Sequence, residues 1–302
     1  MFQFFANIFG YLLVLLYNGV NNYGLAIILF AIVIKILLLP LSIKQQKTMK
    51  KSAEMQEKMK VIQFKYKNDQ EKMNKEMMEM YKKENMSPFS GCLTAIIQIL
   101  LLISVLYMVR SPLTYMQKIP SDSISKYVQQ LKEEEKTISE AYPEIDIIRE
   151  KEFLKEKNKD DENIEKLNLE MNLFGLDLSK IPQQNMADYK VYIIPILYII
   201  SSFISIRLST AMTEKLQKEK KKEETIDEKE KEDEEVQAEK QGENEIDTAM
   251  QTNKMMSWMM PILSISIAFV APLGLALYWL MSNILMIIER ILLEKLIKAW
   301  GG

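Results

Sequence analysis

The sequence predicts an all-α, polytopic membrane protein with five transmembrane helices and a cytoplasmic helical hairpin. Its apolar residues are concentrated in separate blocks, and the blocks are separated by segments rich in Lys and Glu. A helix of about 20 apolar residues spans the ~30 Å core of a bilayer. The net charge of −2 and the near-zero mean hydropathy average over these two kinds of segment, and neither indicates nucleic-acid binding.

Composition excludes several classes of chemistry. The chain has no histidine and one cysteine, Cys92. Imidazole metal sites, Cys–His catalysis and internal disulfides are therefore excluded, and no phosphate-binding loop is present. We predict no catalytic residue, no metal and no cofactor, and hence no enzyme. No basic residue precedes Lys35, so the basic region of a signal peptide is missing and we expect the N-terminus to be retained.

The first two elements are apolar and contain one buried-charge candidate. Residues 1–23 begin with an aromatic, apolar run that is predicted to lie in the membrane interface because it is short, with an extra span as the alternative. The first span is predicted at 24–43 and contains a single charge, Lys35. A central lysine costs roughly 2.5 to 3.5 kcal/mol, which the apolar neighbours offset at roughly 0.3 to 0.6 kcal/mol each. The alternative, a lysine that reaches the end of its helix, is weakened because Lys44 and Lys47 already mark that end.

Residues 44–90 are strongly charged and are predicted to form the helical hairpin, with its turn at 67–70. Apolar residues recur at helical spacing on both sides of the turn. This stripe suits either the seam between the two helices or a docking surface for apolar segments, since thioethers adapt to many shapes. The candidate docking residues are Met55, Met59, Met73, Met77 and Tyr81.

The remaining segments alternate between spans and charged connections. The second span is predicted at 91–112, and 113–188 is a charged extracytoplasmic segment that suits either a solvated helical excursion or partial disorder. The third span, 189–209, precedes a cytoplasmic linker at 210–254 that is rich in Lys and Glu. The last two spans, which form a tight helical hairpin, and the cytoplasmic tail are 255–271, 272–292 and 293–302.

The orientation follows from basic residues in short loops near the spans. Twelve lysines lie between residues 44 and 88, and none precedes Lys35. The hairpin is therefore predicted to be cytoplasmic. Five spans then place the N-terminus and residues 113–188 outside and the C-terminus inside.

Polar side chains recur at helical spacing within the predicted spans. If these faces converge, they line a wet, cationic groove inside the membrane. Each serine or threonine taken alone suits equally a bond to its own helix backbone or to a neighbouring helix. The candidate groove residues are Lys35, Thr94, Gln98, Ser202, Ser205, Tyr278, Trp279, Ser282 and Asn283.

Four segments together resemble the YidC family of membrane protein insertases. The resemblance implies a five-span core whose groove opens to cytosol and lipid and holds one positive charge. Lys35 stands where the family usually has arginine, which keeps the charge but loses the planar fork of donors. Residues 126–172 look like an insertion relative to the family's short loop. The four segments are GLAIILFAIVIKILLLPLSIKQQKTM (24–49), NKEMMEMYKKENMSPFSGCLTAIIQ (74–98), NLFGLDLS (172–179) and PLGLALYWLMSNILMIIE (272–289).

The resemblance also implies a function: the insertion, folding and assembly of integral membrane proteins in the bacterial plasma membrane, alone or with the Sec translocon. Lys35 would draw an acidic substrate tail into the groove, while the apolar segment slides along spans two and five into lipid without a nucleotide. The implied partners are nascent membrane proteins, the ribosome, the Sec translocon, the signal recognition particle receptor and the lipid bilayer. Lys295 and Lys298 would help the hairpin receive them. No nucleic acid beyond the ribosome's is implied, and the working form is a monomer.

Two other classes of protein remain open from the residues alone. A secondary transporter or channel also suits an intramembrane charge and interrupted helices. Against it, the sequence shows no repeat of interrupted helices and no intramembrane acid to pair with Lys35, since Glu289 is expected near the cytoplasmic end. A membrane-anchored scaffold with coiled-coil loops accounts for the charged segments but not for the lysine.

Overall fold

The computed structural model describes residues 2–67, 69–83, 90–227 and 266–300. Within them, four stretches are long and apolar enough to cross a membrane: Phe2–Val20, Tyr23–Gln45, Tyr189–Met212 and Leu273–Leu293. The predicted class, a polytopic helical membrane protein, is confirmed. The helices are α1 (Phe2–Val20), α2 (Tyr23–Lys65), α3 (Gln70–Lys83), α4 (Ser90–Arg110), α5 (Pro112–Tyr115), α6 (Ser121–Glu133), α7 (Pro143–Arg149), α8 (Lys151–Lys157), α9 (Ile193–Asp227) and α10 (Leu273–Trp300).

Helix α1 is longer than the sequence analysis allowed. It has 19 residues, which at ~1.5 Å per residue is close to the bilayer core. The premise that this segment is too short to span is therefore wrong, and its interfacial placement stays a prediction. The predicted second span coincides with α4. Most of the predicted fourth span (255–271) lies outside the described residues. In its described part, residues 266–270 are helical.

Helix α2 runs without interruption from the apolar span into the charged hairpin. Pro40 lies inside it, although proline removes one intrahelical hydrogen bond. The residues that follow are mostly Lys, Gln, Met and Glu, which favour helix and carry it onward to Lys65. The division at residue 44 in the sequence analysis is therefore not an element boundary.

The chain divides into two compact units. The first comprises residues 1–38, 97–203 and 264–302, and the second comprises 39–96 and 204–263. In the first unit, buried apolar residues of the apolar helices and of the segment between α4 and α9 form one continuous cluster. The second unit contains the charged half of α2 together with α3.

The two helices of the hairpin meet through side chains. The Asp69 carboxylate accepts a hydrogen bond from the Lys72 amide at 3.0 Å and so caps the start of α3. The Tyr66 hydroxyl donates to Glu76 at 3.4 Å, and the Met80 side chain is buried. The connection between the two helices, of which residues 66, 67 and 69 are described, overlaps the turn that the sequence predicts at 67–70.

The charged segment between α4 and α9 is a folded layer, which we call the cap layer (residues 112–192). It contains α5 to α8 and one antiparallel hairpin of strands β1 (Asn172–Leu173) and β2 (Leu176–Asp177). Its Lys and Glu residues are mostly exposed, while most of its large apolar side chains are buried. Neither a solvated excursion nor a disordered segment describes it. The buried side chains include Tyr127, Leu131, Ile145, Ile147, Leu154 and Leu167.

The cap layer holds the first residues of two spans by backbone hydrogen bonds. At the start of α2, the Tyr23 amide donates to the Glu170 carbonyl at 2.9 Å. At the start of α10, the Leu273 amide donates to the Lys180 carbonyl at 2.9 Å, and the next amide donates to Leu178 at 3.0 Å. The first amides of a helix lack intrahelical partners, so the cap layer satisfies groups that the spans cannot satisfy themselves.

Candidate functional site

The charge predicted to lie inside the first span is paired with a buried acid on the last span. The Lys35 ammonium nitrogen lies 2.5 Å from Oε2 of Glu289. The lysine side chain is 26% exposed and the glutamate side chain 8% exposed. The other carboxylate oxygen, Oε1, is buried without a hydrogen-bond partner among the described residues. The acid is therefore only half satisfied, and the lysine keeps one open side.

This pair corrects the sequence analysis, which placed Glu289 too far toward one end of its helix to meet Lys35. A signal for it was present. Both α2 and α10 begin at the cap layer, at Tyr23 and Leu273. Counted from there at ~1.5 Å per residue, the lysine lies ~18 Å and the glutamate ~24 Å along. The long lysine side chain bridges that difference. Lys35 therefore does have an acidic partner, and the lack of one no longer counts against a transporter.

A second polar contact joins α9 to α10. The Asn283 amide nitrogen donates to the Ser202 hydroxyl at 2.8 Å and lies 3.5 Å from the Ser201 hydroxyl. Both serines are buried, and Ser201 also donates to its own helix at Tyr198. Of the candidate groove residues, the structure thus brings Asn283 and Ser202 together. Ser201 was missed because it does not share the helical spacing of the candidates Ser202 and Ser205.

Two aromatic candidates are packed within the helices rather than open. Trp279 is buried beside Tyr198, with ring centroids 5.9 Å apart. Tyr278 packs against Phe30 of α2 at 6.2 Å and hydrogen-bonds to Ser282. These contacts fix the face that α10 turns toward α2 and α9. The spacing of four residues between 278 and 282 places both side chains on one face of α10.

Three candidates are placed only by their helix. Thr94 and Gln98 lie on α4, and their side chains are outside the described part of the structure. Ser205 lies on α9, one turn after Ser202, and is buried. Their place in a shared groove stays a prediction.

The candidate docking residues of the hairpin partly face each other. The Tyr81 hydroxyl lies 3.5 Å from the Met59 sulfur, which agrees with the seam between helices. Met73 and Met77 are half-buried on α3. The Met55 side chain is outside the described part.

The cap layer holds its own buried acid. Glu144 accepts hydrogen bonds from the Thr114 amide at 2.9 Å and from the Thr114 hydroxyl at 2.6 Å. Burial raises the pKa of the Glu144 carboxyl above its usual range, although these hydrogen bonds act in the opposite direction. By contrast, the hydrogen bond from Lys180 lowers the pKa of the half-buried Asp188. The surroundings therefore favour the protonated form of Glu144 and the charged form of Asp188.

These observations define a class: a polytopic helical membrane protein with a charged pair and a hydrogen-bonded polar contact among its apolar helices. Residues 15–299 match the family described as 60Kd inner membrane protein. The chain belongs to this family and is a multi-pass protein of the bacterial plasma membrane, as the resemblance of its four segments indicated.

Curated relatives carry a more specific name. A protein of Chlorobaculum parvum called membrane protein insertase YidC is 42% identical over 111 residues, which is 35% of this chain and 19% of that protein. Proteins of the same name from Francisella philomiragia and Francisella tularensis subsp. novicida are 42% and 41% identical over 105 residues, with the same two shares. The matched region thus spans about a fifth of the length of these relatives.

Proposed function

We propose that this protein is a membrane protein insertase that uses Lys35 to lower the barrier to moving an acidic segment across the bilayer. One observation carries the proposal: a lysine within an apolar span is held by a buried acid and is still 26% exposed. An unpaired charge in a membrane is expensive, so intramembrane charges mark functional sites. Relatives named as insertases support the same activity.

The first step is an exchange of ion-pair partners. In the resting protein, Lys35 is occupied by Glu289, whose second oxygen has no hydrogen-bond partner among the described residues. A carboxylate in a substrate tail attracts the same ammonium. Because the substrate carboxylate replaces that of Glu289, Lys35 keeps a carboxylate partner throughout. The free energies of the two ion pairs therefore nearly cancel.

The second step is partial solvation of the substrate's polar tail. Asn283 and Ser202 hydrogen-bond to each other across two helices. Groups of this kind have both donor and acceptor capacity, so the pair opens toward a polar tail at little net loss. We extend the proposal to Thr94, Gln98, Ser205 and Ser282, which the sequence analysis predicts to line the same groove.

The third step is transfer of the apolar segment to lipid. Ile99 and Leu102 on α4 and Ile288 and Leu292 on α10 are exposed apolar side chains. A substrate segment slides along such surfaces with apolar contact throughout, and its burial in lipid drives release. No nucleotide is required.

The proposed orientation places the N-terminus and the cap layer outside the cell and the hairpin and C-terminus inside. Twelve lysines between residues 44 and 88 support it. In this orientation the hairpin receives substrates from the ribosome, the Sec translocon or the signal recognition particle receptor. The protein works as a monomer on nascent membrane proteins.

A reconstitution in liposomes tests the proposal. Insertion of a small single-span substrate with an acidic tail is measured by protease protection, for wild type, Lys35→Ala and the matched control Lys44→Ala. Lys44 is exposed at the far end of the same apolar stretch. We expect Lys35→Ala to lose about tenfold in insertion rate, equivalent to roughly 1.4 kcal/mol of barrier, and Lys44→Ala to match wild type.

A substrate whose tail acids are changed to amides separates attraction from a general defect. It should insert equally well with wild type and with Lys35→Ala, because the lysine then has no charge to attract. Equal loss for both substrates would mean that the variant is simply misfolded, and no insertion by wild type would refute the proposed activity.

A further inference from the structure

The tip of the β-hairpin in the cap layer presents a large apolar side chain to the surroundings. Phe174 is 88% exposed and has a φ of 51°, and the following Gly175 has a φ of 81°. A two-residue turn with both φ values positive is usually occupied by Asn and Gly. A phenylalanine is poorly suited to that backbone and gains nothing from burial here. Its presence therefore points to a contact outside the chain.

Two further exposed apolar side chains belong to the neighbouring part of the cap layer. Met186 is 71% exposed and Tyr189 is 74% exposed. Strand β2 packs against the helical turn Tyr189–Tyr192, and the Tyr192 hydroxyl lies 3.5 Å from the Met186 carbonyl. Exposed apolar side chains gathered in this way mark an interaction surface. We call Phe174, Met186 and Tyr189 the apolar tip.

The apolar tip lies at the level where three spans begin. Tyr189 is the first residue of the apolar stretch that continues into α9. Strand β1 and the residue after β2 pack on the start of α2, since a Cβ on Gly24 would lie 2.8 Å from the side chains of Leu173 and Leu178. At the start of α10, the Gly274 amide donates to the Leu178 carbonyl. The tip therefore lies at the level of the first residues of these apolar helices.

We propose that the apolar tip inserts into the headgroup region of the bilayer and anchors the cap layer to lipid. Aromatic side chains and methionine suit this region, where one end of a side chain is apolar and the other is wet. The surface is continuous with lipid-facing side chains of α9, because Ile193 and Ile196 just beyond Tyr189 are also exposed. A lipid surface is thus the occupant, and not a protein partner.

The charges near the tip are compatible with this depth. Lys180 and Asp188, which flank the loop that carries Met186, form an ion pair at 2.8 Å. Their charges compensate each other, so the loop can approach the headgroups without bringing an unpaired acid toward them. The proposal does not depend on the insertase activity.

Spin-label accessibility in liposomes tests the anchor. In a Cys92→Ser chain, single nitroxide labels are placed by Phe174→Cys, Tyr189→Cys and, as the control, Lys159→Cys, an exposed residue elsewhere in the cap layer. Vesicles contain phosphatidylcholine and phosphatidylglycerol. Collision rates with oxygen and with a water-soluble nickel complex are compared. We expect the oxygen-to-nickel ratio at 174 and 189 to exceed that at 159 by about threefold or more, as at a membrane interface.

A second variant isolates the role of the phenylalanine. Phe174→Asn places the residue that this turn favours, so the hairpin still forms. With the label at residue 189, we expect this variant to lower the oxygen-to-nickel ratio by about twofold, because the anchor is lost. Equal ratios at 174 and 159 would overturn the proposal. Shielding of label 174 from both reagents would also overturn it, since that result indicates a protein partner.

Discussion

Lys35 and Glu289 form a pair whose two members depend on each other. The glutamate is the more deeply buried of the two, and one of its oxygens has no hydrogen-bond partner in the part of the chain that the structure describes. Removing one member of a buried pair costs roughly 3 to 5 kcal/mol, because the other charge is left uncompensated. Here the loss is smaller, since the lysine is partly exposed. The pair also explains how a lysine, which cannot make the forked contacts of arginine, is held in place.

At the scale of residues, we predict that Lys35→Ala is less stable than the double variant Lys35→Ala, Glu289→Gln. The single change should lower the free energy of unfolding by about 1 to 3 kcal/mol, because it strands a buried carboxylate. The double variant should recover most of that loss. Thermal unfolding of the purified proteins in detergent measures both. Equal unfolding temperatures for the single and double variants would mean that the two residues do not interact.

The double variant also separates the role of Lys35 in insertion from its role in stability. The double variant restores a stable fold while still lacking the cation, so it should insert acidic-tailed substrates about tenfold more slowly than wild type. Insertion by the double variant at the wild-type rate would show that Lys35 acts only through stability.

At the scale of elements, the contact between α1 and α5 depends on the absence of a side chain. A Cβ on Gly10 would lie 2.0 Å from the Tyr115 carbonyl oxygen. That atom belongs to the backbone, so it cannot move aside as the end of a flexible side chain can. Helix α1 is thereby packed directly on the first turn of the cap layer. The Lys118 ammonium, which lies 4.2 Å from the Tyr11 ring centroid and 2.8 Å from Asn7, adds to the same junction.

We predict that Gly10→Ala separates α1 from α5, whereas Gly19→Ala in the same helix does not. Overpacking of this kind costs about 1 to 3 kcal/mol. Among the described residues, no atom beyond the local backbone of α1 lies within 4 Å of a Cβ added at Gly19, so alanine there should stabilise the helix by up to about 1 kcal/mol. Hydrogen exchange of residues 112–115 reports the contact. Unchanged protection in Gly10→Ala would contradict the packing seen here.

At the scale of the whole molecule, the cap layer is a folded body that joins the ends of helices far apart in sequence. Its interior includes two acids, Glu144 and Asp146. Glu144 accepts hydrogen bonds from Thr114 in α5. Burial raises the pKa of this carboxyl in the folded protein. The folded protein therefore binds its proton more tightly than the unfolded chain does. Stability from this group is present at low pH and declines as pH rises from the ordinary pKa of 4.5 through the raised value.

The corresponding prediction concerns the pH dependence of unfolding. Glu144→Gln removes this titration, so as the pH rises above the ordinary pKa of 4.5 the wild type should lose stability relative to the variant. Unfolding temperatures of both proteins, measured across this pH range in detergent, give the difference. Asp146, whose pKa burial also raises, is common to both proteins and cancels. Parallel curves for the two proteins would show that Glu144 does not titrate in this range.

The sequence predicts the apolar helices and the hairpin turn well, because these depend on local patterns. An apolar run must be helical in a membrane whatever surrounds it, and Asp69 provides its own cap. The cap layer was not predicted, because Tyr127, Ile147 and Leu167 are spaced among lysines and glutamates and become buried in the apolar cluster only when the chain folds. The pairing of Lys35 with Glu289 depends on the relative depth of two helices, which follows only once their shared starting level is known.

The bonds between the cap layer and α10 also impose an order on the making of the molecule. The carbonyls of Leu178 and Lys180 find their partners only at Gly274 and Leu273, which leave the ribosome much later. At roughly 5 to 20 residues per second, that interval is about 5 to 20 s. Until α10 has been synthesised, these two carbonyls of the nascent cap layer lack the hydrogen-bond donors of α10. Folding of the cap layer is therefore completed by the final helix.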